Sequence, residues 1–412
     1  MRVLILSQYF WPETFRINEV VESLRLAGCE VIVLTGQPNY PDGHIFRGYS
    51  AWGFGSERHP SGYEIYRTPV FPRGRNSGWR LGLNYISFAL SSSTLGLWLT
   101  RRTKIDAVLV YGISPILQGV PGAVFRKIRS AVHVIWVQDL WPQSLEVSGY
   151  ITNRWLLHGV RLLTSWIYRQ ADLLLVQSEA FVADVRSKAG PAVKIKYHPN
   201  PGDLSFSNDV GVTRFPKYRF EERFNVVFAG NLGRAQSLET IVGAALLLMD
   251  DPTICFIIFG SGSRLDWLRK EIGRHNLTNV KLAGRFPAED MPAILSQASA
   301  LLATLRRDDG LSQTIPSKIS TYLAAGRPIL ASMDGEGARI VNEAVAGLTV
   351  PAEDAKSLSS AIIALQRMSP EKREIMGASG RAYFESHFSP SKLAKDLMQH
   401  LLDAIQERAD KV

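Results

Sequence analysis

The stretch from residue 301 to residue 338 constrains the fold more than any other part of the chain. Residues 301–305 are an apolar run of strand length, a polar loop through Gly310 follows, and residues 318–325 have the length of a two-turn helix closed by Gly326. Residues 329–332 then read as a second short strand, and the turn Met333-Asp-Gly-Glu-Gly-Ala338 opens another helix. Two successive strand-loop-helix units point to a parallel α/β sheet. In such sheets phosphates bind where strands end and helices begin, because unpaired amides and the helix dipole point outward there. Lys318 lies between the two loops and puts a cation at the predicted site.

The same alternation runs through the whole chain and breaks once. Strand-like runs at 2–7 and 30–35 flank Ile17, Val20, Val21, Leu24 and Ala27, which repeat with helical period and end at Gly28. Further strands are expected at 107–111, 133–138, 172–177 and 194–197, with helices at 155–168 and 179–188. Residues 43–76, rich in Gly, Pro, aromatics and Arg, read as one long excursion loop. Pro199-Asn-Pro-Gly-Asp203 then interrupts the pattern, which restarts with strands at 225–229, 254–259 and 280–283 and helices at 238–249, 265–274 and 288–298. Helices at 357–367, 371–387 and 393–409 close the chain. Since 412 residues exceed one ordinary core, the predicted fold is α/β, with two doubly wound parallel-sheet domains at 1–200 and 201–389. The segment 390–412 is expected to pack back on the first.

Charge separates these halves. Residues 1–200 hold 22 Arg and Lys against 13 Asp and Glu, which accounts for the whole net charge of +9. A basic half suggests an anionic partner. No basic run interleaved with aromatics resembles a nucleic-acid module, so a membrane surface is favoured over nucleic acid. Residues 79–99 approach transmembrane length, but Asn84 and several hydroxyl residues dilute them. With Arg73, Arg75 and Arg80 before them and Arg101, Arg102 and Lys104 after, they fit an interfacial helix on an anionic bilayer or a buried helix covering the sheet. Cys29 and Cys255 offer no metal-ligand spacing and, like the short apolar start, suggest a cytoplasmic protein.

Candidate site residues follow from strand ends. The second half has three glycine-centred loops, Gly230-Asn-Leu-Gly233, Gly260-Ser-Gly262 and Gly284-Arg-Phe286, which together mark a nucleotide crevice. In the first half no Gly-x-Gly-x-x-Gly follows the first strand, which argues against a dinucleotide cofactor. Arg16 stands near a helix start, placed to hold an oxyanion or simply solvated. Asp139 ends a buried strand, where it either orients or deprotonates a substrate hydroxyl or caps the next helix. Asp308 and Asp309 are adjacent on one loop with no third ligand evident, so no metal is expected.

Six strings carry a resemblance: Gln8-Tyr-Phe-Trp-Pro-Glu-Thr-Phe-Arg16, Pro38-Asn-Tyr-Pro41, Val137-Gln-Asp-Leu-Trp-Pro142, Ala229-Gly-Asn-Leu-Gly-Arg-Ala-Gln236, Ile315-Pro-Ser-Lys318 and Asp334-Gly-Glu-Gly-Ala338. With them the chain resembles the retaining glycosyltransferases of family 4, of the two-Rossmann GT-B type, over nearly its whole length. It looks most like bacterial surface-polysaccharide transferases of the N-acetyl-L-fucosamine and colanic-acid kind. The resemblance implies two domains facing a central cleft, the first binding the acceptor through Arg16, Asn39, Tyr40 and Asp139. The second would bind a nucleoside diphosphate sugar, a substrate rather than a cofactor. Its implied contacts are Gly230, Asn231, Gly233, Arg234, Gln236, Gly260, Gly262, Arg285, Phe286, Lys318 and the Gly335-Glu336-Gly337 turn, with Arg16 also placed to meet the diphosphate. The chain departs from the family at the usual basic pair, where it has Asn231 and Gln236, and at the glutamate pair, where it has Gln313 and Thr321. Glu336 or Asp309 is then the expected carboxylate for ribose or sugar hydroxyls. The implied reaction is metal-independent transfer, with Asp139, Lys318 and Glu336 as its principal residues, to a polyprenyl-diphosphate-linked saccharide at the inner membrane face. A GT-B sugar-nucleotide epimerase and a non-catalytic nucleotide-sugar-binding scaffold are the competing readings.

Overall fold

The structure is a computed structural model that describes residues 1–74, 78–148, 153–203 and 218–410. Arg75, one of the expected basic flanks, lies outside the described residues. The chain divides into two compact units, residues 1–199 with 393–412 and residues 200–392.

The first unit is built on strands β1 (Arg2–Leu6), β2 (Glu30–Gly36), β3 (Gly55–Arg58), β4 (Glu64–Thr68), β5 (Ala107–Gly112), β6 (Val132–Val137), β7 (Leu173–Val176) and β8 (Lys194–Tyr197). They lie in the order β3-β4-β2-β1-β5-β6-β7-β8, parallel except where β3 pairs antiparallel with β4. That hairpin falls inside the stretch expected to be loop. Its strands are four and five residues long, too short for a period-2 pattern to stand out, and only β4 is buried. The helices are α1 (Arg16–Leu26), α2 (Gly78–Ser91), α3 (Leu97–Leu99), α4 (Gly119–Arg129), α5 (Gln143–Ser148), α6 (Arg154–Arg169) and α7 (Phe181–Ala189).

Strand side chains alternate between two cores, as the pleat requires. Leu4 and Leu6 of β1 face a cluster containing Phe88 of α2, Phe125 of α4, Ile167 of α6 and Val185 of α7. Val3 and Ile5 face the opposite cluster, which α1 shares with Leu397, Leu401 and Ala404. Those last residues belong to the C-terminal helix Pro390–Ala409, which returns to the first unit from Leu393.

The second unit holds β9 (Phe224–Ala229), β10 (Ile254–Phe259), β11 (Val280–Gly284), β12 (Ala300–Thr304), β13 (Ile329–Ser332) and β14 (Gly347–Val350). Its helices before the C-terminal one are α8 (Leu238–Leu247), α9 (Leu265–Arg274), α10 (Met291–Leu295), α11 (Asp309–Ser312), α12 (Ser317–Ala325), α13 (Glu336–Glu343), α14 (Ala355–Arg367) and α15 (Pro370–His387), and the C-terminal helix is α16. The six parallel strands run β11-β10-β9-β12-β13-β14, the 3-2-1-4-5-6 order of a doubly wound dinucleotide-type sheet. The strand order reverses between β9 and β12, and ligands in such sheets bind outside the carboxyl ends at that point.

One polar hub ties α16 to its sheet. Asp172, at the start of β7, accepts hydrogen bonds from Arg126 Nε and Nη2 (3.0 and 2.9 Å), from Arg408 Nη1 of α16 (2.9 Å) and from the His133 amide (2.9 Å). Together these donors hold its carboxyl below the usual range against the opposing effect of burial, so the stabilisation is present above the unfolded pKa and is lost as pH falls through the folded one. Asp172→Asn removes the charge and leaves two guanidinium groups facing each other. It is expected to lower stability at pH 7 by about 2–3 kcal/mol, measurable by denaturant unfolding; an unchanged midpoint would contradict this role.

Candidate nucleotide site and acceptor-side loops

In the second unit the three glycine loops are laced to one another. Gly230 N–H donates to the Phe259 carbonyl (2.9 Å), Leu232 N–H to the Ser261 carbonyl (2.8 Å), and Gly260 N–H to the Gly284 carbonyl (2.7 Å). The backbones approach so closely that a Cβ on Gly260 would run into the Gly230 carbonyl, and one on Gly262 would lie 2.5 Å from that of Leu232. Gly230 and Gly260 also take positive φ, +139° and +136°. This corrects the sequence reading in part. The amides of Gly230 and Gly260 are spent on loop packing and are not free for phosphate.

The open donors come from α12. Tyr322 is buried, and its hydroxyl lies 2.9 Å from the donating Ala229 amide and 3.3 Å from the Leu302 carbonyl. This pins α12 to the end of β9 and the middle of β12. Lys318 is four residues earlier, on the same helical face, so its side chain reaches the strand ends. A Cβ on Gly230 would stand 2.7 Å from Lys318 Cε, which makes glycine the residue that leaves room for the lysine. The ammonium lies 3.6 Å from the centroid of the Phe228 ring and hydrogen-bonds to Gln236 Oε1. Among the described residues no carboxylate pairs with it, and burial pulls its pKa down to about 7.

Two adjoining cavities share Gly230, Asn231, Ser317 and Lys318. The larger, about 620 Å³, adds Gly260, Ser261, Arg285, Thr321 and Asp203 to an apolar wall of Phe259, Phe286, Met291, Leu295 and Tyr322. The smaller, about 330 Å³, adds Gln236, Thr304, Leu311, Thr314, Pro316 and Met333. Of the sequence candidates, the structure thus gathers Gly230, Asn231, Gln236, Gly260, Arg285, Phe286, Lys318 and Thr321. Asp203, Thr314, Ser317 and Tyr322 were missed; only the position of Ser317 at a helix start signalled it.

Other candidates stand apart from these cavities. Glu336 is buried at the first turn of α13, where Arg339 Nε and Nη2 donate to its two oxygens (3.0 and 2.9 Å). The carboxylate expected for ribose is therefore held by an arginine one turn on, and lines neither cavity. Asp309 is exposed, beside Asp308, whose oxygen caps the amides of Gly310 and Leu311. Gly335 packs on Ser312 and Gly337 on Met333 and Pro316, while Gly233 and Gly262 shape the laced loops. Gln313 lines neither cavity, and Arg234 lines a separate surface pocket with Arg264, Arg306 and Glu353.

The acceptor-side candidates lie in the first unit. Asp139 accepts from Ser114 N–H and Oγ, both at 3.2 Å, and so binds the neighbouring loop. Burial raises its pKa. Arg16 opens α1, and it and Asp139 both act electrostatically on buried Tyr111. Asn39 is buried, and its side chain is occupied by Gln37, Arg73 and Asn84, a structural part rather than an open contact. Tyr40 remains exposed, 4.9 Å from the Phe15 ring, with the Arg73 guanidinium 5.0 Å from its own. Sequence reasoning missed Glu13, a buried carboxylate pushed up to about 7 by burial, which accepts the amides of Asn39 and Tyr40 at 2.7 Å and so fixes that loop.

A buried cation without a carboxylate partner costs stability until an anion arrives. Its folded pKa lies below the unfolded value, so between the two the unfolded chain binds the extra proton and gains stability relative to the folded one. Lys318→Met is therefore expected to raise the unfolding midpoint of the ligand-free protein at pH 7. It should also remove stabilisation by an added nucleoside diphosphate such as UDP, which for a bound ligand at 100 times its dissociation constant would amount to about 2.7 kcal/mol. A destabilised variant that keeps its UDP response in thermal unfolding would contradict this.

Comparison with known proteins bears on the family and the fold. Residues 14–201 match the family model described as Glycosyl transferase 4-like domain, and residues 223–367 match that of Glycosyl transferases group 1. WcaI of Escherichia coli, named as a colanic acid biosynthesis glycosyl transferase, is 26% identical over 79% of this chain and 82% of its own length. WbjE of Pseudomonas aeruginosa, named as a glycosyltransferase, is 26% identical over 71% and 74%. Among solved structures, sucrose-phosphate synthase from Thermosynechococcus elongatus superposes with a TM-score of 0.69 at 17% identity, over 98% of this chain and 99% of that one. Anabaena HepE in complex with UDP gives 0.68 at 15%, over 98% and 100%. The fold is GT-B, and the chain belongs to the glycosyltransferases that join a 4-like domain to a group 1 domain.

Proposed function

We propose that the protein transfers a sugar from a nucleoside diphosphate sugar to a lipid-diphosphate-linked saccharide in bacterial surface-polysaccharide synthesis. The donor is a UDP-N-acetyl-deoxyhexosamine such as UDP-N-acetyl-L-fucosamine. The observation that carries this reading is Lys318, a buried ammonium with no carboxylate among the described residues, at the start of α12 beside two cavities. The start of α12 adds the positive end of a helix dipole. In the larger cavity Phe286 and the apolar wall suit a flat base. The names of the relatives from Escherichia coli and Pseudomonas aeruginosa, and the UDP held by HepE, support the substrate class.

In this reading the bond between the sugar anomeric carbon and the β-phosphate oxygen breaks while charge grows on that oxygen. Lys318 and the first amides of α12 stabilise the charge without reorganising, and no metal is required. The acceptor hydroxyl attacks from the face the phosphate leaves, which retains configuration, and its proton passes to the departing phosphate. On the first unit, Tyr40 and Phe15 offer the acceptor saccharide an aromatic face, Arg73 meets its diphosphate, and Asp139 orients the attacking hydroxyl.

A lipid acceptor implies a membrane-facing surface, and α2 supplies one. No helix among the described residues is long and apolar enough to cross a membrane. In α2 the polar Asn84 is fully buried, bonded to Gln8, Tyr9 and Phe71, while Trp79, Leu83, Ile86 and Leu90 are exposed. Apolar residues outside and amide inside suit an interface between protein and lipid. The protein would then act from the cytoplasmic face as a peripheral enzyme.

Incubation with labelled UDP-sugars and a bacterial lipid extract tests the reading directly. Label moving into the lipid fraction supports it; interconversion of the sugar nucleotide without transfer would favour an epimerase, and binding without turnover a scaffold. Asp139→Asn keeps an oxygen for Ser114 and should leave folding and UDP affinity unchanged while lowering transfer at least tenfold, about 1.4 kcal/mol in the barrier. Full activity in that variant would remove Asp139 from the mechanism.

A further inference from the structure

A second helix of the first unit repeats the outward pattern of α2. In α6, Trp155, Leu162 and Trp166 fall with Gly159 at i, i+4, i+7 and i+11, the same spacing as Trp79, Leu83, Ile86 and Leu90 in α2. That spacing makes one stripe along a helix, and an ordinary amphipathic helix turns it inward. Here Thr164, Ile167 and Tyr168 are the buried residues, whereas Trp155 is 85% exposed, Trp166 is 46% exposed, and Leu156 and Leu162 are exposed beside them. Among the described residues nothing covers this face.

Charge indicates what covers it. Arg154, His158, Arg161 and Arg169 are exposed along one side of the stripe, and the helix contains no Asp or Glu. A protein partner bound only by apolar contact would need no such one-signed border, whereas an anionic bilayer takes tryptophan and leucine below its head groups and arginine among them. Position supports the same occupant. Helices α2, α4 and α6 all pack on one face of the sheet, through Phe88, Phe125 and Ile167, and α4 between them exposes Lys127 and Ile128.

We infer that α6 is a second membrane-docking element, which binds the surface of an anionic bilayer through Trp155, Leu156, Leu162 and Trp166 with Arg154, Arg161 and Arg169 at the head groups. It rests on the proposed lipid-facing role of this unit and extends it from one helix to a platform of two, which fixes the orientation of the first unit on the bilayer. A single helix lying on a membrane leaves the protein free to roll about the helix axis. Two stripes on one helix layer remove that freedom.

The test uses the full chain and vesicles of phosphatidylcholine with or without phosphatidylglycerol. Trp155→Ser/Leu162→Ser/Trp166→Ser should weaken binding to anionic vesicles at least tenfold, and Arg154→Ser/Arg161→Ser/Arg169→Ser should weaken it by on the order of fivefold per arginine at low salt. UDP binding and the unfolding midpoint should stay as in the unaltered protein, since the changed side chains are exposed. If these variants bind vesicles as tightly as the unaltered protein while Trp79→Ser/Leu83→Ser/Leu90→Ser releases it, the inference for α6 fails and the proposed function survives. If the unaltered protein binds no vesicle, both the inference and the lipid-facing reading fail. If sedimentation shows a dimer that the α6 changes convert to monomer without altering vesicle binding, the face belongs to a second copy and the inference is overturned.

Discussion

The second unit depends on a packing that only glycine permits. The β9 and β10 loops lie in direct backbone contact through Gly230, Gly260 and Gly262, and the hydrogen bonds lacing them use the amides that a phosphate site would otherwise offer. With those donors spent, the proposed anion recognition rests on the neighbouring helix. Tyr322 anchors α12 at the strand-order reversal, the missing Cβ of Gly230 opens room, and Lys318 occupies it. The chain thus carries a buried cation that its own carboxylates do not pair with among the described residues. Gln236, at one of the two positions where the resemblance implies a basic residue, instead accepts a hydrogen bond from the Lys318 ammonium.

The two sheets were legible because parallel strands buried on both faces read as near-continuous apolar runs, as in β5 and β10 and, with one polar residue each, β1, β6 and β9. The β3–β4 hairpin was not, because four or five residues give no measurable period. At the site, Lys318, Arg285, Phe286 and the glycine loops follow from their place at strand ends. Glu336 has a partner invisible in a linear reading of strand ends: Arg339 is one helical turn away, and its guanidinium donates to both carboxylate oxygens. The Asn39 side chain is likewise engaged internally, by Gln37, Arg73 and Asn84, while Glu13 accepts its backbone amide.

The first unit shows the opposite use of polarity. In α2 an asparagine is buried beside Phe88, while Trp79, Leu83, Ile86 and Leu90 face outward, so that only part of the apolar content which made the segment resemble a membrane span in the sequence enters the core. Burial of Asn84 is tolerable because Gln8, Tyr9 and the Phe71 carbonyl satisfy it. The result is a helix fastened to the sheet by hydrogen bonds and a few apolar contacts, with its main apolar stripe exposed.

The most direct test of the central claim is calorimetry of UDP binding at pH 8 in two buffers of different ionisation enthalpy. If Lys318 is the cation that meets the diphosphate, its free-state pKa of about 7 means that it is mostly neutral at pH 8 and must take up a proton when the anion binds. The account predicts uptake of close to one proton per nucleotide at pH 8, falling to a small fraction of that at pH 6. Tight binding at pH 8 with no proton uptake would show that the diphosphate is held elsewhere.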